Sequence, residues 1–132
     1  MGKRILVIED SHILCFMLEE ALQNNGFEVI VAYDGKGGLL KAQVCKPDII
    51  LLDLVLPDIP GEEVCRDLKK FPDTERTPII MLTAKGSDVD HVVGRVLGAQ
   101  AYIVKPFEME HLMTEITKLI AMILVVDWAL LL

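Results

Sequence analysis

Among the runs that are apolar at every position are three of four residues each, Ile5-Leu6-Val7-Ile8, Ile49-Ile50-Leu51-Leu52 and Ile79-Ile80-Met81-Leu82. Runs this short and this uniform read as strands covered on both faces. For 49–52 a buried helix segment fits the periodicity equally well. The shortness of the run and its flanks, Lys46-Pro47-Asp48 before and Pro57-Asp58-Ile59-Pro60-Gly61 after, decide for a strand. Two further runs, Glu28-Val29-Ile30-Val31-Ala32 and Ala101-Tyr102-Ile103-Val104, are β-rich and complete a set of five.

Helical patterns separate the strands. Ser11 or Asp10 caps a helix reaching about Asn25, with Ile13, Leu14, Met17, Leu18, Ala21 and Leu22 at helical spacing and Glu19, Glu20 and Gln23 opposite. A second helix over about 36–45 carries Gly37 and Gly38 in its first turns. Each costs roughly 1 kcal/mol against alanine, so this helix is expected to be the least stable. A third spans 61–70 with Val64, Cys65 and Leu68 as its apolar stripe. After a loop over 84–87, a fourth is expected over 88–97. Its Val89, Val92, Val93, Val96 and Gly94 make it weak and suited to shifting. The last begins near Glu108 and turns Leu112, Ile116, Leu119, Ile120 and Ile123 to the sheet. Strand–helix alternation without repeats or linkers predicts a three-layer, doubly wound α/β fold. Its five-stranded parallel sheet has right-handed crossovers and the flavodoxin-like order 2-1-3-4-5.

Composition narrows the class. The 132 residues suit one domain, and a net charge of −7 argues against nucleic acid as a direct partner. Cys15, Cys45 and Cys65 are odd in number and form no CxxC pair, so they read as reduced thiols filling helix faces. Met1-Gly2-Lys3-Arg4 resembles a signal-peptide start, but Glu9 and Asp10 cut the apolar run short. Leu6 stands where a myristoylation motif needs Ser or Thr. A cytoplasmic location is expected. The glycine-rich dinucleotide-binding turn is absent, with Glu9-Asp10-Ser11 in its place.

The candidate chemistry lies where the strands end. Glu9 and Asp10 follow the first strand, Asp53 the third, Thr83 ends the fourth, and Lys105 follows the fifth. In a parallel sheet these ends share one rim, the side on which open α/β sheets bind ligands. Any one such Asp is ordinarily a helix cap or turn former. Several strand ends bearing the groups that one chemistry requires are harder to attribute to caps. Clustered carboxylates repel unless a cation intervenes, and hard oxygen donors of this kind suit Mg²⁺. Lys105 adds a positive charge and Thr83 a hydroxyl. Asp53 would be the nucleophile, since carboxylates form acyl phosphates, with the cations offsetting charge on the transferring group.

At this point the chain closely resembles the receiver domain of two-component response regulators. The matching residues are Glu9-Asp10, Asp53 with Pro57 and Gly61, Thr83-Ala84, Tyr102 and Lys105-Pro106-Phe107, and the likeness covers residues 3 to about 120. The resemblance carries the same strand order, so the order is not an independent expectation. It implies that Asp53 takes a phosphoryl group from a sensor histidine kinase or phosphotransfer protein. Asp10, Asp53 and the Val55 carbonyl, with Glu9 through water, would hold Mg²⁺. Thr83 and Lys105 would contact phosphoryl oxygens, and Tyr102 would change rotamer. The face of the fourth helix, fifth strand and fifth helix would then alter its fit to a downstream output protein. Val55 and Lys85, two after Asp53 and two after Thr83, would tune the lifetime. The Lys105-Pro106 bond is expected to be cis. Such a domain is not a conventional enzyme, although it catalyses its own phosphorylation and dephosphorylation.

Two other functions share parts of this pattern. Phosphatases of the haloacid dehalogenase type need a second Asp two residues after the nucleophile, and Val55 stands there. A receiver fold serving as a phosphorylation-independent interaction module is favoured by loss of an acidic residue, Asp53 or Lys105, and all are present. The departures from the family pattern are Gly37-Gly38 and an apolar tail. Residues 1–122 are expected to form the receiver domain and 123–132 the tail. Met113, Met122, Leu124, Val125 and Val126 are expected to face away from the sheet, and the segment from Trp128 to lie beyond the fold. Self-association through the last helix and tail is the favoured expectation, with folding back over the domain and membrane contact as alternatives.

Overall fold

Alternate residues of the apolar runs feed two different cores. Ile5 and Val7 pack with Ile49, Leu51, Ile80, Leu82 and Ile103 on one face of the sheet. Leu6 and Ile8 pack with Ile50, Leu52, Ile79 and Met81 on the other. That period of two, without a polar position in the run, is the signature of a strand buried on both sides. The structure is a computed structural model that describes residues 2–84 and 98–131. Lys85, the rest of the expected 84–87 loop and the helix expected over 88–97 lie outside the described residues.

The strands are β1 (Arg4–Ile8), β2 (Glu28–Ala32), β3 (Ile49–Leu52), β4 (Ile79–Thr83) and β5 (Ala101–Val104), all parallel in the order β2-β1-β3-β4-β5. The described helices are α1 (His12–Asn24), α2 (Gly35–Cys45), α3 (Gly61–Leu68) and α4 (Met109–Leu130). α1 and α4 cover one face through Cys15, Leu18, Leu22, Leu112, Ile116 and Leu119. α2 and α3 cover the other through Ala42, Val64, Cys65 and Leu68.

Local chemistry explains the helix limits. Ser11 caps α1, its Oγ accepting the Leu14 N–H at 3.2 Å, and Gly26 with φ +88° ends the turn that follows. Asp34 caps α2 by accepting the Gly37 N–H at 2.7 Å. Gly38 is buried in α2, and a Cβ there would lie 2.6 Å from Ile8 Cδ1. The glycine that weakens the helix is what lets it approach β1.

Two expected faces differ in detail. In α1 the buried stripe is Cys15, Leu18 and Leu22, while Ile13 and Met17 are exposed. Six apolar residues cover more of the helix than one sheet face can bury. In α4, Met113 packs against the core with Ile120 and Ile123 rather than facing away. α4 continues without a break past residue 122, and Leu124, Val125, Val126, Trp128, Leu130 and Leu131 are exposed. Among the described residues no helix is long and apolar enough to cross a membrane.

Candidate functional site

The rim is built by backbone bonds that carry the sheet just past its strand ends. Glu9 N–H donates to the Ala32 carbonyl at 3.0 Å, Asp53 N–H to the Ile8 carbonyl at 3.0 Å, and Lys105 N–H to the Thr83 carbonyl at 2.8 Å. Glu9, Asp53 and Lys105 are thereby fixed in the framework and not left on free loops. Since Ser11 takes the cap of α1, Asp10 is released from the role that would have explained it away.

One oxygen each from Glu9, Asp10 and Asp53 lies within 4.8 Å of the others. Glu9 is 1% exposed and Asp53 5%, whereas Asp10 faces solvent. Lys105 Nζ donates to Asp53 Oδ2 at 2.8 Å and also to Glu9 Oε1. The remaining oxygens are held by backbone donors: Val55 N–H to Asp53 Oδ1 at 3.0 Å and Ser11 N–H to Glu9 Oε2 at 2.9 Å. The Lys105-Pro106 bond is cis, as expected.

One ammonium faces three carboxyl groups, and the imbalance registers on Glu9. Burial pushes its carboxyl up to about 7; Lys105 and the Ser11 N–H pull it down, and Asp53 and Asp10 push it higher. Desolvation acts to lower Lys105, but its bonds to Asp53 and Glu9 outweigh that and hold the ammonium above the ordinary lysine range. Cys15 Sγ donates to the Glu9 carbonyl at 3.2 Å. Burial first, then the carboxylates of Glu9, Asp10 and Glu19, push this thiol up to about 12, so it stays protonated beside the site and is no nucleophile. Hard anionic oxygens in excess over their counter-charge, one of them open to water, fit Mg²⁺.

The other expected residues fall around this cluster. Thr83 is buried at the end of β4, one strand from Lys105. Tyr102 is half-buried on β5 and packs toward the α2–α3 side. Val55 is exposed at the mouth of the site. Gly61 N–H donates to the Leu54 carbonyl at 2.9 Å, and a Cβ at Gly61 would collide with the Asp53 carbonyl oxygen. Only glycine lets α3 start this close to Asp53.

Two contacts near the rim were not expected. Asp58 accepts hydrogen bonds from the Gly35 and Lys36 N–H groups, and the rings of His12 and Tyr33 stack at 3.8 Å and 4°. Both join segments more than twenty residues apart, with no local pattern to betray them.

The family model for the response regulator receiver domain matches residues 5–117. The response regulator ArlR of Staphylococcus saprophyticus is 44% identical over 113 residues, which cover 86% of this chain and 50% of that protein. The chain spans about half the length of the curated relatives it matches. Among solved structures, the chemotaxis protein CheY4 of Vibrio cholerae superposes with a TM-score of 0.86 at 32% identity, over 90% of this chain and 99% of that one. The receiver domain of a sensor histidine kinase from Pseudomonas aeruginosa, with a magnesium ion coordinated in its active site cleft, gives 0.84 at 29% identity, over 92% and 99%.

Proposed function

The chain belongs to the response regulator receiver domain family, and from that premise we propose that it is a phosphoryl-accepting switch with Asp53 as the acceptor. The observation that carries the reading is the Lys105 ammonium bonded to both buried carboxylates, with Asp10 beside them at the open edge. A carboxylate oxygen of Asp53 attacks phosphorus, the bond to the donor's histidine nitrogen breaks, and that nitrogen keeps the electron pair. Lys105 stays bonded to the carboxylate and meets the charge that develops on the phosphoryl oxygens, and Thr83 supplies its hydroxyl. Asp10, Asp53, the Val55 carbonyl and Glu9 through water would hold Mg²⁺. When bound, the ion neutralises negative charge as the phosphoryl group arrives.

The donor is a sensor histidine kinase or phosphotransfer protein, and the setting is the cytoplasm. The phosphorylated Asp53 gains roughly one to two negative charges. Thr83 moves toward them and Tyr102 turns into the space vacated. This biases the surface formed by β5, α4 and the expected 88–97 helix, to which an output protein binds. Val55, unable to hydrogen-bond a water, and Lys85 set the lifetime of the phosphorylated state. Residues 1–122 form the receiver unit. The segment from 123 gives α4 an end on which Leu124, Val125, Val126, Trp128 and Leu130 are exposed and Asp127 is the one charged residue. A second copy supplies its cover.

Incubation with acetyl phosphate and Mg²⁺ tests the reading. Wild type should gain one phosphoryl group by intact mass, and Asp53→Asn should gain none. Equal labelling of the two overturns the assignment.

A further inference from the structure

We propose that Asp58 is a positioning residue for the metal site, holding the loop that carries the Val55 carbonyl against the start of α2; this rests on the phosphoryl-acceptor reading above. The loop between β3 and α3 is fastened at both ends. Val55 N–H bonds Asp53 Oδ1 at 3.0 Å, and Gly61 N–H bonds the Leu54 carbonyl at 2.9 Å. The stretch from Val55 to Pro60 has no strand or helix structure, and Asp58 supplies its hold from outside. Its Oδ1 accepts the Gly35 N–H at 2.7 Å and its Oδ2 the Lys36 N–H at 2.9 Å.

Asp34 caps α2 through the Gly37 N–H, and Asp58 takes the Gly35 and Lys36 N–H groups of the same first turn from another part of the chain. What the Asp58 bonds add is a joint between two segments 22 and 23 residues apart. The neighbouring Ile59 packs on Gly35, where a Cβ would lie 3.0 Å from Ile59 Cδ1. Both members of the Asp58-Ile59 pair thus engage the same turn. That turn also reaches the loop that presents Asp10, since Tyr33 stacks on His12, two residues from Asp10. Tyr33, Gly35 and Lys36 therefore brace the loops that present Asp10 and Val55. Desolvation acts to raise the Asp58 carboxyl, yet the backbone N–H groups of Lys36, Gly35 and Ile59 outweigh it and hold the group below its ordinary value. Charge-assisted bonds to backbone donors are the stronger kind, and groups that orient metal ligands set affinity without touching the ion.

The test compares Mg²⁺ binding by calorimetry in wild type, Asp58→Ala, Asp58→Asn and Asp34→Ala, each melted to verify folding. Asp58→Ala should bind Mg²⁺ about tenfold more weakly. Asp58→Asn, which keeps one acceptor oxygen, should fall between it and wild type. Asp34→Ala weakens the same helix without touching the loop, so it should melt earlier and bind Mg²⁺ within twofold of wild type. In acetyl phosphate labelling, Asp58→Ala should need more Mg²⁺ for half-maximal rate while its rate at saturating Mg²⁺ stays within twofold. If Asp58→Ala does not fold, Asp58→Asn decides: a loss above twofold supports the proposal and a smaller one overturns it. A wild-type affinity in Asp58→Ala, or an equal loss in Asp34→Ala, overturns the proposal and leaves the acceptor reading standing. A wild type that neither binds Mg²⁺ nor takes a phosphoryl group overturns both.

Discussion

Lys105 lies 52 residues beyond Asp53 in the chain, and its Nζ sits 2.8 Å from Asp53 Oδ2. The same ammonium bonds Glu9, 96 residues away, so one cation ties the ends of β1, β3 and β5 together. Lys105→Met should remove the counter-charge from two buried carboxylates. Mg²⁺ should then bind more tightly by calorimetry, because the cation it competes with is gone. Phosphoryl uptake from acetyl phosphate should fall at saturating Mg²⁺, because charge on the transferring oxygens is no longer met. Weaker Mg²⁺ binding with unchanged uptake would contradict both roles.

Glu9 makes the metal-free protein pH-sensitive. Its carboxyl is raised from 4.5 to about 7 in the fold, so between those values the folded state holds a proton that the unfolded chain has lost. The stabilisation is fully present below about 4.5 and is lost as pH rises through about 7. Stability from this group should therefore fall over that window, and Glu9→Gln should flatten the fall. Urea midpoints measured across it without Mg²⁺ provide the check. In wild type, Mg²⁺ affinity should rise over the same window as the competing proton leaves.

Gly38→Ala separates helix propensity from packing. Propensity alone would stabilise α2 by roughly 1 kcal/mol. The added methyl meets Ile8 from Cδ1 at 2.6 Å to Cγ2 at 2.9 Å, a β-strand side chain with little room to give. Overpacking of this kind costs about 1–3 kcal/mol, so the net effect should be destabilising in denaturant unfolding.

The exposed end of α4 should hold copies together. The double variant Val125→Lys with Trp128→Lys places charge on two exposed apolar positions beyond the packed part of the helix. Light scattering at tens of micromolar should give a dimer for wild type and a monomer for the variant. If both are monomers, or both dimers, this end of α4 is not the contact.

The strands could be read from the chain because β1, β3 and β4 lie between two layers, which forces continuous apolar runs. The rim followed from them: once Ile8 and Leu52 are strand ends in register, Glu9 and Asp53 must emerge side by side. Helix faces were less legible. Ile13 and Met17 share the apolar spacing of Leu14 and Leu18, but the packing of α1 is set by Cys15, Leu18 and Leu22. The Gly38 approach to Ile8 and the hold of Asp58 on Gly35 depend on tertiary proximity alone. No spacing within either segment encodes them.

Phosphoryl acceptance at Asp53 is tested most directly by locating the acyl phosphate by chemistry. Protein labelled with acetyl phosphate and Mg²⁺ is reduced with borohydride, which converts an aspartyl phosphate to homoserine, and its peptides are sequenced by mass spectrometry. Homoserine should appear at position 53, with Asp10 and Glu9 unchanged. Homoserine at another carboxyl position, or none in protein that has gained phosphoryl mass, would contradict it.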